Sequence, residues 1–400
     1  DDDDDDDDDD DSEDEAHHSH DDDVAAEKRR ALRSAADPSI AVRITRLNKV
    51  YHKNPFHIRS KRDNHAVKGV SYCIENNSVF CLLGHNGSGK STTIGMLTGL
   101  IQPSGELGDA FVFGESVRNS PELVRRMIGV CPQHDILWPE LTAYEHLYLF
   151  AQLRGIDQET IPAMIEEKLQ GVSLLPVQDH PSSTFSGGMK RRLSVAISSI
   201  GDPQLIIMDE PTTGMDPKSV QHVWHMIQTL KKDRSILLTT HSMEEAEILA
   251  DRIAIMNLGE IMCIGSSLHL KNKYGDGYRL TISVRPHAAE RVCQFVAEAM
   301  PSTRLISKTG DILIFSLPFE ASPSAPNPTS GLVADDDDDA AAAPGLHEAL
   351  PADMVAWLQR FEDFITADES LVMEWGLSMP TLEAVFHRVT DHKRVDVVSD

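Results

Sequence analysis

Apolar residues alternate with polar or small ones where the patterned part of the chain begins, at Ile40, Val42 and Ile44. This period of two predicts a half-buried strand. The polar and basic stretch 51–64 predicts a long hairpin loop, and residues 66–74 predict the second strand of the pair. We therefore expect an antiparallel β subdomain at the start of the folded region.

From residue 79 onward, short apolar runs alternate with segments of helical periodicity. The predicted buried strands are 79–83, 127–131, 205–208, 236–240 and 253–256. Since helices cover both faces of a parallel sheet, continuous apolar strands predict an α/β fold with a mostly parallel sheet. Residues 134–200 have helical periodicity and little strand pattern, so we expect an inserted helical subdomain there.

Beyond Gly277 the predicted elements are strand, helix, strand, strand, helix, strand and a last helix. This is the order of a small ferredoxin-like α+β domain. A stretch rich in proline and aspartate interrupts it and predicts a flexible linker. The predicted boundaries are 1–38 for a disordered acidic segment, 39–277 for the α/β domain, 278–317 with 346–390 for the α+β domain, 318–345 for the linker and 391–400 for a tail.

The charge of the chain is concentrated in two short runs. The 400 residues have a formal net charge of −27, but residues 1–23 hold 17 acidic residues and residues 335–339 hold five more. The remainder has 42 acidic and 37 basic residues. Acidic runs bury little apolar surface, which supports disorder there. We expect no nucleic-acid partner, because no basic surface stretch is present.

Several other classes of protein are excluded by simple patterns. No window has 18 consecutive apolar residues, so the sequence predicts no bilayer-spanning helix. The amino terminus is poly-Asp and lacks the features of a secretory signal. We therefore expect the chain to be a fragment or a processed piece. The five cysteines are scattered without a CxxC pair, which predicts reduced thiols.

The clearest chemical motif is GHNGSGKS, which fits G-x-x-x-x-G-K-[ST] between a predicted strand and a predicted helix. Its glycines let backbone N–H groups surround phosphate oxygens, and the helix amino terminus favours negative charge. Lys90 is predicted to neutralise the β and γ phosphates, and the Ser91 hydroxyl to ligate Mg²⁺. The predicted phosphate-binding segment is Gly84, His85, Asn86, Gly87, Ser88, Gly89, Lys90, Ser91 and Thr92.

Two carboxylates follow the buried strand 205–208. Ligands of open α/β sheets bind at the carboxyl ends of the strands, so Asp209 and Glu210 are expected at the same site. Asp209 is predicted to reach the Mg²⁺. Glu210 is predicted to orient the attacking water or accept its proton.

A second predicted anion site opens the helix that follows Phe185, where Ser186, Gly187 and Gly188 precede Met189. Here the chain resembles the ATP-binding cassette (ABC) ATPases, whose signature usually reads LSGGQ. Phe185 and Met189 replace its Leu and Gln. The resemblance implies that this segment binds the γ-phosphate of ATP held on an opposing cassette, and hence that two cassettes form a head-to-tail dimer.

Four more positions match the family in order. The resemblance implies that Gln133 senses Mg²⁺ and contacts the membrane domain, and that Asp216 couples the two sites of the dimer. It also implies that His241 contacts the γ-phosphate and that Tyr51 stacks on adenine. The implied catalytic residues are Glu210, His241 and Gln133, and the implied metal ligands are Ser91, Gln133 and Asp209.

Segments 141–147, 187–194, 265–272, 275–278 and 377–386 look like the ABCA subfamily of lipid exporters. This resemblance implies a P-loop NTPase fold with a RecA-like parallel sheet and a carboxyl-terminal regulatory domain. It implies ATP and Mg²⁺ as ligands. The implied partners are a second cassette and transmembrane domains outside this chain, which would place the cassette at the cytoplasmic face of a membrane.

Three alternatives stay open from the sequence. The chain could be a separate ATPase subunit of an ABC-2-type multidrug exporter, or a soluble ABC ATPase that acts on ribosomes or DNA. A single cassette without a coiled coil disfavours the soluble class. A degenerate cassette that binds ATP without turnover is the third alternative, and the intact Lys90, Asp209, Glu210 and His241 argue against it.

Overall fold

The computed structural model describes nine segments, which are residues 22–34, 37–51, 64–105, 107–275, 277–285, 287–300, 303–317, 352–368 and 371–391. These residues form two compact units. The first unit comprises residues up to Leu270 together with those from Phe386 onward, and the second comprises Lys271–Val385. No described helix is long and apolar enough to cross a bilayer.

The first unit combines two sheets with helices. Its strands are β1 (Ile40–Tyr51), β2 (Asn64–Glu75), β3 (Val79–Leu83), β4 (Asp109–Val112), β5 (Glu115–Ser116), β6 (Ile128–Cys131), β7 (Leu205–Asp209), β8 (Ser235–Thr240), β9 (Arg252–Asn257) and β10 (Glu260–Gly265). Its helices are α1 (Asp22–Arg33), α2 (Lys90–Leu97), α3 (Pro121–Met127), α4 (Ala143–Leu153), α5 (Ile161–Gly171), α6 (Gly187–Ser198), α7 (Pro217–Leu230) and α8 (Met243–Leu249). The helix α9 (Ser267–Tyr274) crosses into the second unit.

A four-stranded antiparallel sheet, ordered β2-β1-β4-β5, forms the predicted β subdomain. β1 and β2 pair with Ile44 opposite Tyr72, as the alternating pattern predicts. The predicted loop between the two strands lies mostly outside the described residues.

The second sheet is ordered β10-β9-β3-β8-β7-β6, and it confirms the predicted mostly parallel α/β arrangement. All neighbours from β9 to β6 pair parallel, and only β10 is antiparallel. Leu83 is in register with Thr240, and Asp209 with Thr239. The carboxyl ends of β3, β7 and β8 therefore lie side by side, where ligands of such sheets bind.

The core of the first unit joins its two sheets. The Tyr72 and Phe80 rings stack with centroids 5.1 Å apart, and both side chains are fully buried. Large stacked rings contribute much of the apolar area that such an interface removes from water. The phosphate-binding loop after β3 thus rests on a densely packed base.

The predicted disorder through residue 38 is wrong for residues 22–33, which form α1. The buried carboxylate of Glu27 accepts a hydrogen bond of 2.9 Å from the Cys73 backbone N–H and pairs with Arg252 at 2.8 Å. These partners are 46 and 225 residues away in sequence. Because the helix is charged and its partners are distant, local composition gave no sign of its packing.

Residues 134–200 are largely helical, as predicted, and contain α4, α5 and α6. α4 begins with a capping box, in which the Thr142 side chain accepts from the Glu145 backbone and Glu145 accepts from Thr142 N–H. α6 begins at Gly187, where the predicted second anion site lies.

The second unit is a small α+β domain. Its elements are β11 (Tyr278–Val284), α10 (Ala289–Ala299), β12 (Arg304–Thr309), β13 (Ile312–Leu317), α11 (Ala352–Ala367) and β14 (Val372–Ser378), followed by α12 (Leu382–Asp391), which ends in the first unit. The strands pair antiparallel in the order β12-β13-β11-β14, the ferredoxin-like order predicted from the sequence.

Two predicted boundaries require correction. The second unit begins at Lys271 rather than after Gly277, and the last residues of α12 belong to the first unit. Periodicity predicted the apolar face of α12 correctly, with Leu382, Val385 and Phe386 buried. It could not show what covers that face. The predicted linker 318–345 lies outside the described residues. The predicted tail 391–400 does too, except for Asp391, which ends α12.

Candidate nucleotide-binding site

The loop between β3 and α2 has the backbone that its glycines predict. Gly87 and Gly89 have φ of 83° and 113°, in the left-handed region that favours glycine. A Cβ on Gly84 would lie 2.5 Å from the Met256 carbonyl oxygen, and a Cβ on Gly89 would collide with the Ala66 carbonyl. The loop is therefore held against β2 and β9 at distances that only glycine permits.

Lys90 is the first residue of α2 and is buried. Its Nζ donates to the Gly84 carbonyl at 2.7 Å and to the His85 carbonyl at 3.2 Å, and lies 3.7 Å from Glu210 Oε1. Burial lowers the pKa of Lys90, and the nearby carboxylates of Glu210 and Asp209 oppose that shift. The ammonium thus lies among groups that compete with a phosphate for it.

The two predicted carboxylates follow β7. The Thr239 hydroxyl donates to Asp209 Oδ1, which fixes that carboxylate at the strand end. Glu210 is buried and has a φ of 46°, an uncommon conformation for a non-glycine residue. Its backbone N–H donates to the Thr239 carbonyl oxygen at 3.0 Å, which holds this turn in place.

The other two predicted catalytic residues, Gln133 and His241, both contact the Glu210 carboxylate. Gln133 Nε2 donates to Glu210 Oε2 at 3.0 Å, and His241 Nδ1 lies 3.3 Å from the same oxygen. The Thr213 hydroxyl also donates to it, at 3.1 Å. With Lys90 beside the other oxygen, residues from four separate segments of the chain converge on one buried carboxylate.

A cavity of about 760 Å³ adjoins this cluster, a volume in the usual range for small-molecule sites. Tyr51, at the end of β1, lines it and is 41% exposed. The predicted residues that line the cavity are Tyr51, Asn86, Gly87, Gly89, Lys90, Ser91, Thr92, Gln133 and Glu210. Five further residues line the cavity and were not predicted from the sequence, namely Asn64, His65, Ala66, Lys68 and Leu258.

The residues of the predicted second anion site, at the start of α6, do not line this cavity. Ser186 caps α6 and accepts a hydrogen bond from the Met189 N–H at 3.3 Å. Next to it, a Cβ on Gly187 would enter open space, whereas one on Gly188 would lie 2.5 Å from Ser219 Oγ. Asp216 caps α7, and its hydrogen bond with the Ser219 side chain is the main cause that lowers the pKa of Asp216.

Arg191 is a structural link that sequence analysis missed. This buried side chain of α6 donates to the Pro211 carbonyl at 2.6 Å and to the Asp209 carbonyl at 3.0 Å, and also bonds the Pro132 carbonyl. It pairs with Asp135 at 3.2 Å. One guanidinium therefore links the start of α6 to the segments that carry Glu210 and Gln133. This role could not be predicted from the sequence, because Arg191 lies in a run of basic residues.

The described residues include no group of three or more His, Cys, Asp or Glu side chains that could hold a metal ion. Mg²⁺ usually takes one or two carboxylates together with substrate phosphates and waters. The hard oxygen ligands of Asp209, Ser91 and Gln133 fit that requirement, since Asp209 directly precedes Glu210 and the other two line the cavity.

Comparison with known proteins agrees with this geometry. Residues 67–213 match the family described as ABC transporter. ABC transporter A family member 1 of Dictyostelium discoideum is 48% identical over 261 residues, which cover 65% of this chain and 30% of that protein. Phospholipid-transporting ATPase ABCA3 of Homo sapiens is 41% identical over 282 residues, which cover 70% of this chain and 16% of that protein. The chain thus spans less than a third of either relative.

Solved structures show the same fold. An ATP-binding subunit of an ABC transporter is 26% identical and covers 59% of this chain and 93% of its own, with a TM-score of 0.51. A dimeric post-hydrolysis cassette bound to ADP and Pi has a TM-score of 0.51 at 23% identity, covering 56% of this chain and 98% of its own.

Proposed function

Since the chain contains the ATP-binding domain of an ABC transporter, we propose that it binds ATP in the described cavity and hydrolyses it to ADP and phosphate. The observation that carries this proposal is the convergence of Lys90, Gln133 and His241 on the buried Glu210 carboxylate beside the cavity. A purely nucleotide-binding loop would not need that constellation.

Binding follows from charge and loop geometry. The triphosphate lies along the glycine-rich loop, where backbone N–H groups and the start of α2 favour anions. Its negative charge draws the Lys90 ammonium away from Glu210, 3.7 Å distant. The buried Ser88 hydroxyl has no hydrogen-bond partner among the described residues, which suits a loop that closes on a ligand.

Hydrolysis needs a base and a positioned water. The water oxygen attacks the γ-phosphorus, the bond to the bridging oxygen of ADP breaks, and Glu210 accepts the proton. Gln133 and His241 already contact Glu210 and hold its carboxylate in place. A bound Mg²⁺, held by Ser91, Asp209 and Gln133, would neutralise charge on the phosphate oxygens.

The second anion site supports a head-to-tail pair of cassettes. Ser186 and the open face of Gly187 are built for an anion but are not part of the lining of the same chain's cavity. We infer that they contact the γ-phosphate of ATP on a second cassette, with Asp216 near the same junction. ATP then joins the two cassettes, and hydrolysis releases them.

We propose that this cycle drives phospholipid transport through transmembrane domains outside the chain, which places the cassette at the cytoplasmic face of a membrane. The support is the 41% identity to a relative named as a phospholipid-transporting ATPase. If the full protein moves phospholipid, Glu210→Gln in it should abolish ATP-dependent transfer of a fluorescent phospholipid in vesicles. Transfer at the wild-type rate would contradict the proposal.

Two substitutions test the chemistry. Glu210→Gln should retain ATP binding, trap a closed dimer and lower turnover at least a hundredfold, because the amide cannot accept the proton. Lys90→Ala should lose nucleotide binding, because the cation beside the phosphates is removed. ATP binding, phosphate release and the dimer fraction are measured for each variant.

Surface substitutions of the same type serve as controls. Glu244→Gln and Lys232→Ala change exposed residues and should leave turnover unchanged. Wild-type turnover in either Glu210→Gln or Lys90→Ala would refute the assignment of the site.

A further inference from the structure

The last residues of α12 lie within the nucleotide-binding unit rather than in the small α+β unit. There the Phe386 ring meets the ring of His85 edge to face, with centroids 4.7 Å apart and planes at 83°. His85 is the second residue of the phosphate-binding loop. A helix that starts more than 290 residues after this loop thus contacts it directly.

Two further observations show that this contact is well anchored. Phe386 is only 1% exposed, so its ring is packed on all sides. The Thr390 carbonyl, one turn later in α12, accepts a hydrogen bond from Asn257 Nδ2 at 3.5 Å. Asn257 ends β9 next to Met256, whose carbonyl lies against Gly84.

His85 occupies a sensitive position in the loop. Its backbone carbonyl accepts one of the two loop hydrogen bonds of Lys90, at 3.2 Å, and its neighbour Asn86 lines the cavity. Its side chain is exposed. A ring held on one side by Phe386 restricts the backbone of His85, and with it the carbonyl that orients the Lys90 ammonium.

We propose that Phe386 is a positioning residue for nucleotide binding, which holds the phosphate loop in its binding conformation through His85. The proposal rests on the proposed ATPase function and adds to it a residue far outside the cassette motifs. It also gives the carboxyl-terminal helix a defined role at the site.

The first experiment separates binding from turnover. Phe386→Ala should raise both the Kd for ADP and the KM for ATP roughly threefold to tenfold, the range expected for a lost aromatic pair. Turnover at saturating ATP should stay within about twofold of wild type, because Phe386 touches no reacting group. If Phe386→Ala does not fold, Phe386→Leu fills most of the space without a ring and should show the same KM effect.

A phenylalanine of the second unit supplies the matched control. Phe361 is fully buried in the core of that unit, so Phe361→Leu should lower thermal stability without changing the Kd for ADP. An equal loss of affinity in both variants would show that general destabilisation, and not the loop contact, explains the effect.

A double-mutant cycle tests the contact itself. Replacement of Phe386 by Ala should weaken ADP binding much less in a His85→Ala background, because the partner ring is already absent. Fully additive effects, or a Phe386→Ala variant that binds ADP as tightly as wild type, would overturn the positioning role. A wild-type chain that binds neither ADP nor ATP would instead refute the proposed function.

Discussion

At the scale of single residues, Glu210 has a left-handed backbone conformation, and both oxygens of its carboxylate have neighbours. Its φ of 46° carries a conformational cost of about 1 kcal/mol or more, which the surrounding hydrogen bonds offset. Gln133, Thr213 and His241 contact one oxygen and Lys90 is near the other. In the proposed mechanism Glu210 is the base, and this alignment before the substrate arrives lowers the cost of reorganisation during hydrolysis.

A second buried carboxylate lies close to this cluster without belonging to it. Glu245 Oε1 accepts hydrogen bonds from the Thr212 hydroxyl at 2.9 Å and from Trp224 Nε1 at 3.3 Å. Burial raises the pKa of Glu245, and its hydrogen bonds and His241 oppose the shift. Glu245 therefore joins the segment after Glu210 to the helix after His241.

The raised pKa predicts a pH-dependent stability. The native state holds the Glu245 proton to a higher pH than the unfolded chain does, so this contribution is complete below about pH 4.5 and is lost as pH rises through the native pKa. Glu245→Gln keeps the two acceptor bonds and does not titrate. Its stability relative to wild type should therefore increase as pH rises.

Urea midpoints of wild type and Glu245→Gln at a series of pH values from 4.5 to 8 would measure this. Glu244→Gln changes the exposed neighbour and should show a constant difference from wild type. A difference for Glu245→Gln that is the same at every pH would contradict the prediction.

The site residues that could be predicted from the sequence are those whose neighbours in the chain define a motif. Lys90 and Asp209 were predictable because loop, strand end and chemistry are adjacent in sequence. Arg191 and Glu245 were not, because their roles depend on partners in distant segments. Nothing local distinguishes the Arg191 side chain, which donates to four backbone carbonyls, from Arg192 beside it.

At the scale of elements, the start of α6 has two adjacent glycines in different environments. A Cβ on Gly187 would meet no atom within 4 Å, whereas one on Gly188 would meet both Ser219 Oγ and Ser219 Cβ, at 2.5 and 3.0 Å. Gly188 is thus required for the packing of α6 against α7. Gly187 has no such requirement among the residues that the structure describes, which is consistent with the proposal that its open face serves a second cassette.

The two glycines therefore predict different outcomes. Gly187→Ala should leave the free energy of unfolding within about 0.5 kcal/mol of wild type and reduce ATP turnover at least tenfold, because the methyl group blocks the partner's phosphate. Gly188→Ala should reduce turnover as well and destabilise the fold by about 1–3 kcal/mol, because Ser219 must move. Urea unfolding and phosphate release distinguish the two.

Gly171→Ala provides a control, since that position also has no atom within 4 Å of a Cβ but lies at the end of α5. It should change neither property by much. Normal turnover in Gly187→Ala would argue against a phosphate of a second cassette at the start of α6.

Regular elements were predicted well where one face is apolar and poorly where charge dominates. The parallel strands β3, β7 and β8 each contain an unbroken apolar run of at least three residues, so their existence and type were clear from the sequence. α1 was missed because its anchor is the charged residue Glu27, paired with Arg252. α12 was predicted as a helix, but its division between the two units follows from long-range contacts alone.

At the scale of the whole molecule, we expect the amino-terminal acidic run to have no effect on ATP binding at the nucleotide site. Residues 1–21 precede α1, and exposed charges are screened beyond about 8 Å at physiological salt. Deletion of residues 1–21 should therefore leave ATP affinity within about twofold of wild type. A larger loss of affinity would show that the acidic run binds the cassette.

A longer deletion should behave differently. Removal of residues 1–33 takes away α1 and leaves Arg252 and the Cys73 N–H without the Glu27 carboxylate. Loss of a charged partner at such a site costs roughly 2 kcal/mol. Thermal unfolding of the two deletions, compared with wild type, measures the contribution of the helix separately from that of the acidic run.

The division of α12 between the two units has a consequence for synthesis on the ribosome. The first unit takes in residues from Phe386 onward, so its contacts are incomplete when Leu270 has emerged. At about 5–20 residues per second, translation from Lys271 to Asp391 takes roughly 6 to 24 s. During that interval the nascent cassette exposes the apolar surface that Phe386 and Val389 later cover, and a chaperone has time to bind it.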